Sequence, residues 1–106
     1  MINRFMNSFD VVVQCDVTAK RLNDPLRYRL YVNDELFVER TWIWQNSYLE
    51  ENIPIAAPAG VYPIRLETVD IGHGRIKIRN HRVVHGPARI IEYQGQPAVE
   101  ISDALA

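Results

Sequence analysis

Nucleophiles are scarce and isolated in this chain. Ser8, Ser47 and Ser102 lack the glycine-flanked elbow that strains a catalytic serine, and no histidine stands at a spacing that would activate them. Cys15 is the single cysteine, so it has no internal disulfide partner. It alternates in phase with Val11, Val13 and Val17, which reads as a buried, reduced thiol acting as a small hydrophobe. His73, His81 and His85 lie close together, and three imidazoles can bind zinc, but their spacing matches no finger or protease pattern. They read as surface histidines on loops. Carboxylates cluster as Asp34-Glu35, Glu50-Glu51 and Asp70, and oxygens from separate loops could hold calcium. Adjacent acids on a strand point to opposite faces, however, so each pair offers one group per side. With no glycine-rich phosphate loop, paired-cysteine zinc motif or dinucleotide fingerprint, the expectation is a protein that is not an enzyme and has no cofactor and no metal.

Aromatic side chains are the remaining candidates for recognition. Trp42, Trp44 and Tyr48 form a cluster that could stack on sugar rings or anchor a protein interface, where Trp and Tyr contribute disproportionately. Trp42 and Trp44 share strand parity with Leu36 and Val38, which assigns at least one of them to the core. Tyr48 and Tyr31 read as surface anchors. Phe5 and Phe9 add two aromatics on an N-terminal segment without periodicity, so the candidate partner-binding set is Phe5, Phe9, Tyr31, Trp42, Trp44 and Tyr48.

The elements that must position these residues are strands. Val11, Val13, Cys15 and Val17 alternate against Val12, Gln14 and Asp16. Leu26, Tyr28, Leu30 and Val32 alternate with Arg27, Arg29 and Tyr31. Asn33-Asp34 then tolerates the positive φ of a tight hairpin. The return strand from Glu35 places Leu36, Val38, Arg40, Trp42 and Trp44 on one face and Phe37, Glu39, Thr41 and Ile43 on the other. After an Asn46-Ser47 turn, Leu49, Glu51, Ile53 and Ile55 share a face, and Pro54 marks that strand as an edge or marks its end. Ala56 to Gly60 form a turn before a strand from Val61 to Val69, in which Pro63 argues for an edge or a bulge. Arg75-Ile76-Lys77-Ile78-Arg79 is the cleanest alternation, with isoleucines inward and cations in water. Short strands at Arg82 to Val84 and Ala88 to Tyr93, a Gln94-Gly95 turn and Ala98 to Ile101 complete about eight or nine strands. No amphipathic helix of typical length and no internal repeat is present. The fold class is therefore all-β: a single antiparallel β-sandwich, jelly-roll-like, over residues 11 to 106, preceded by an N-terminal arm over residues 1 to 10.

Composition agrees with one such domain. The chain has 106 residues, 47% hydrophobic and 24% charged, which leaves room for one core and suggests neither disorder nor a membrane span. Twelve basic against thirteen acidic residues give a formal charge of −1, with both signs mixed along the chain. A sequence-independent grip on nucleic acid is not expected from that balance. The stretch from Arg75 to Arg89 is locally basic and reads as a solvated strand face, because aromatic platforms are missing from it. MINRFMNSFD has no continuous apolar segment of the secretory type.

The run YRLYVNDELFVERTWIW, then YLEENIPI, a Pro-Ala-Gly turn and RIKIRNHRVVHGPA, resembles small β-sandwich proteins of tailed phages that infect cyanobacteria. The similarity covers roughly residues 24 to 90. It implies a virion protein assembled in the host cytoplasm, decorating the capsid by binding the major capsid protein lattice, or an accessory of the neck or tail, with a homo-oligomer (trimer or dimer) plausible by local symmetry. More distantly, the hairpin and YLEEN resemble sandwich carbohydrate-binding modules, which would make carbohydrate an alternative partner in host-surface adhesion. No sugar-contacting or calcium-binding motif of that family aligns onto individual positions.

The strand faces give a direct test. Ile76→Asp or Ile78→Asp should unfold the domain, because a charge replaces core methyls at a cost of several kcal/mol. Lys77→Asp should leave the thermal midpoint nearly unchanged. Reversed sensitivities in a melting experiment would overturn the assignment.

Overall fold

A computed structural model describes residues 8–21, 26–42, 46–69 and 74–106. Eight strands follow one another: β1 (Phe9–Arg21), β2 (Leu26–Val32), β3 (Glu35–Trp42), β4 (Asn46–Ala57), β5 (Gly60–Thr68), β6 (Gly74–His85), β7 (Ala88–Tyr93) and β8 (Gln96–Ile101). A 3-10 turn, Asp103–Leu105, closes the chain, with the Ser102 side chain accepting from the Ala104 N–H. The strands form two sheets, β4-β1-β6 and β3-β2-β5-β8-β7, and every pairing is antiparallel. The hairpins β2–β3 and β7–β8 stay within one sheet, whereas every other connection passes between sheets. The sandwich expected from the alternation is thus present.

Its core is the sum of the inward parities. Val11, Val13, Cys15 and Val17 from β1 meet Leu26, Tyr28 and Leu30 from β2, with Ile53 and Ile55 from β4 and Val99 and Ile101 from β8. Ile76 and Ile78 of β6 pack against this cluster from the edge, while Arg75, Lys77 and Arg79 are exposed. Pro54 lies on β4, an edge strand, as a residue without a backbone donor should.

Several local expectations are corrected. Phe9 and Asp10, expected in the N-terminal arm, belong to β1: Phe9 shares the parity of Val11, pairs with Ala57 and packs against the core. Leu36 does not face inward with Val38. A register shift pairs Tyr31 with Leu36 but Leu30 with Val38, so Phe37 is an extra residue in a bulge and parity reverses across it. Leu36 is consequently exposed and Phe37 packs toward the core. Asn46 and Ser47 belong to β4, paired with Lys20 and Ala19. Arg75 to Arg79 and Arg82 to Val84 are one strand, since a bulge at Asn80 and His81, with Asn80 at φ 57°, absorbs the break in alternation. Pro63 is neither at an edge nor in a bulge. It sits where β5 passes from pairing with β8 to pairing with β2, and its carbonyl accepts from the Asn33 N–H at 2.8 Å.

Both two-residue hairpin turns use left-handed backbone, at Asn33-Asp34 (φ 51° and 66°) and at Gln94-Gly95 (φ 52° and 80°), which matches the twist of the flanking strands. Gly86 is also left-handed, at φ 95°, but here space is the stricter constraint: a Cβ would lie 2.3 Å from the Asp10 carbonyl oxygen. Nothing lies within 4 Å of the corresponding point at Gly95. Gly95→Ala should therefore cost only the conformational penalty of about 1 kcal/mol, whereas Gly86→Ala should cost more than about 3 kcal/mol by forcing β1 away from the β6–β7 corner. Urea unfolding of the two variants side by side measures the difference, and equal losses would refute the close approach.

Candidate functional site

Two edge strands, β3 of the larger sheet and β4 of the smaller, run along the same side of the sandwich. Their inward parities bring a charge from each into the seam between them. On β4 the inward series is Leu49, Glu51, Ile53, and on β3 it is Val38, Arg40, Trp42. Glu51 is 1% exposed, and both of its oxygens are held by the Arg40 guanidinium, Nε to one and Nη2 to the other at 2.8 Å. The Tyr28 hydroxyl from β2 donates to the same carboxylate at 2.6 Å. Burial first, and this hydrogen bond second, push the Tyr28 phenol well above its ordinary range. Arg40, raised mainly by its bond to Glu51, keeps 44% of its side chain exposed at the seam. The charge pair thus bridges interior and solvent. The Tyr28 and Trp42 rings meet with centroids 6.5 Å apart and planes at 51°, closing the pocket around it.

Cys15 lies opposite Glu51 in the β1–β4 register. Burial, then the charge of Glu51, push its thiol up to about 12. It stays protonated at neutral pH and is a poor nucleophile. The Arg40–Glu51 bridge divides the seam into two indentations. One, of about 350 Å³, is lined by Val32, Leu36, Phe37, Ile55, Ala57 and Tyr62 among others. The second, of about 330 Å³, is lined by Tyr28, Glu39, Arg40, Thr41, Trp42 and Leu49. Leu36 stands 55% exposed beside the first.

Comparison with protein-family models, with curated proteins and with solved structures finds no match to this chain. The site therefore carries the functional argument, as it must wherever fold alone is shared by many activities.

The sequence-based candidates separate sharply. Phe5 and Trp44 lie outside the described residues, as do Asp70 and His73. Trp42, 1% exposed, belongs to the core, and Phe9, partly buried, packs against it. Tyr31 is on the outer face, but Arg65 stacks over its ring at 4.1 Å and its hydroxyl donates to Glu67 at 3.0 Å, so that ring face is already occupied. Tyr48, 62% exposed, is the most exposed of the candidates among the described residues. The structure does not bring these six aromatics together.

His81 and His85 are on β6 rather than on loops. His81 is partly buried beside Ile90, Ile91 and Pro97, and among the described residues no group meets its Nε2. Desolvation lowers its pKa, so protonation in acid opposes the fold. Among the described residues no three histidine, cysteine, aspartate or glutamate side chains converge as a metal would require.

Glu51, Arg40 and Tyr28 are the residues that sequence reasoning passed over. Their signal was legible: opposite charges at core-facing positions of two strands must either be paired or be exposed. Arg40→Met should cost about 3 kcal/mol, because it leaves a buried carboxylate without its cation. Adding Glu51→Leu should restore most of that loss. A double-mutant cycle by chemical denaturation reads the coupling, and simple additivity would show that the pair does not act as a unit.

Proposed function

We propose that this chain is a non-enzymatic structural protein of a tailed-phage virion that decorates the capsid by binding the major capsid protein lattice. The observation that supports it best is the β3–β4 seam. An eight-residue edge strand free of proline and glycine offers backbone donors and acceptors to an incoming chain, and the exposed Leu36 with the adjoining groove, lined by both apolar and polar residues, offers a socket for its side chains. An extended segment of the lattice protein, added to β3 as a further strand, would satisfy both.

The inward-facing ion pair suits that role. It holds the two edges in fixed relation, so the socket is preformed and little ordering is required on binding. A buried, protonated thiol and scattered histidines fit a binding module better than a catalyst. The resemblance of the YRLYVNDELFVERTWIW region to cyanophage sandwich proteins supplies the virion context.

Purified particles analysed by mass spectrometry should contain the chain at high copy number. Leu36→Lys protein added to undecorated particles should fail to co-sediment, whereas Tyr93→Lys, on the opposite edge strand β7, should bind as the unaltered chain does. Recovery of the protein solely in the soluble cell fraction would sink the proposal.

A further inference from the structure

The outer face of the β4-β1-β6 sheet is a regular grid set by the strand register. Its rows are Lys20–Arg75, then Tyr48–Thr18–Lys77, then Glu50–Asp16–Arg79, then Asn52–Gln14–Arg82. Side chains two apart on one strand are about 6.7 Å apart and neighbouring strands about 4.8 Å. The four rows therefore span about 20 Å by 10 Å.

Within this grid the charges are unevenly used. Arg82 donates to Gln14 at 3.2 Å, to Asp16 at 3.2 Å, to Glu50 at 2.7 Å and to the Asn80 carbonyl at 2.7 Å. Asn80 adds a bond to Asp16 at 3.0 Å, and these two partners hold the Asp16 carboxyl below its usual range. Both acids are thereby committed to one guanidinium. Lys20, Arg75, Lys77 and Arg79 are exposed, and among the described residues no ion pair engages them. Five cations against two acids leave this part of the face positive on a chain whose formal charge is −1. Asp10 lies at the far end, beyond Val12. The aromatic platform that the basic strand lacks by itself comes from β4: Tyr48, 62% exposed, sits in the same row as Lys77.

We infer that this face is a binding site for an anionic polysaccharide, with Lys77 and Arg79 facing the acid groups, Tyr48 stacking on a sugar ring, and Asn52 and Thr18 meeting hydroxyls. The chemistry favours this ligand over two alternatives. Single-stranded nucleic acid is gripped by successive aromatic platforms along a basic track, and among the described residues this grid has one. A protein interface of useful affinity has an apolar centre, and here the centre is a hydrogen-bonded lattice of amides, acids and arginine. The inference does not depend on the β3–β4 seam, which lies along a different side of the sandwich.

Calorimetric titration at low salt with oligogalacturonate, neutral dextran and oligo-dT tests it on the intact chain. Oligogalacturonate should bind and dextran should not, with affinity falling as sodium chloride is raised. Lys77→Glu with Arg79→Glu should weaken binding at least about tenfold, and Tyr48→Ala about three- to tenfold. Arg89→Glu, whose native partner is Glu100 on the other sheet, should change nothing. All these positions are exposed, and unchanged circular dichroism would establish that the variants fold. Absence of oligogalacturonate binding, binding that survives the double charge reversal, or equal affinity for oligo-dT without dependence on Tyr48 would each overturn the inference.

Discussion

Glu51 carries its charge into the space between two sheets, where an ion without partners is untenable, and the surrounding structure supplies a partner from each neighbouring strand of the opposite sheet. Tyr28 reaches it from β2 and Arg40 from β3, so the carboxylate ties β4 to two strands with which it shares no backbone pairing. Apolar side chains can slide over one another at small cost; a bidentate guanidinium and a phenol cannot exchange positions without stranding the acid. The relative placement of the two sheets is therefore specified at one point by hydrogen-bond geometry, and the valines and isoleucines around that point need only fill volume. Placing Arg40 at the rim, half in water, limits the desolvation that a fully enclosed pair would suffer.

That arrangement also shapes the surface. Because the bridge crosses the seam part-way along, the gap between the edge strands is interrupted and neither half becomes a continuous exposed stripe. The outer faces follow a related rule. Arg29 joins Glu39 at 2.6 Å and Glu67 at 3.3 Å on one sheet, and Arg82 joins Asp16 and Glu50 on the other. Arg29, on β2, draws its two acids from both flanking strands, whereas Arg82, on the edge strand β6, reaches Asp16 on β1 and Glu50 beyond it on β4.

Much of this was readable from the chain. Period-two alternation located β1, β2 and the inward faces of β4 and β6, because a half-buried strand has no other way to arrange its side chains. Asn33-Asp34 and Gln94-Gly95 announced their turns through residues that accept left-handed backbone. Bulges defeated the pattern at Phe37 and at Asn80-His81, since one inserted residue reverses parity without leaving a mark in composition. The site was less legible for a different reason. Whether Tyr31 shows its ring depends on which cation the cross-strand register sets beside it, and Arg65 reaches it only through the pairing of β2 with β5. The grid on the smaller sheet likewise joins residues from β1, β4 and β6 that no local window contains.

The central strand of that sheet has a consequence in time. β1 is the first strand of the chain, yet its partners are β4 and β6, the latter ending at His85. During synthesis Val11 to Val17 must wait for their first ladder partner until β4 has emerged, and for their second until β6 has. Closing such long loops places the chain among slow-folding all-β topologies, on a millisecond-to-second scale, and makes the interval before β6 docks the period of greatest exposure to aggregation.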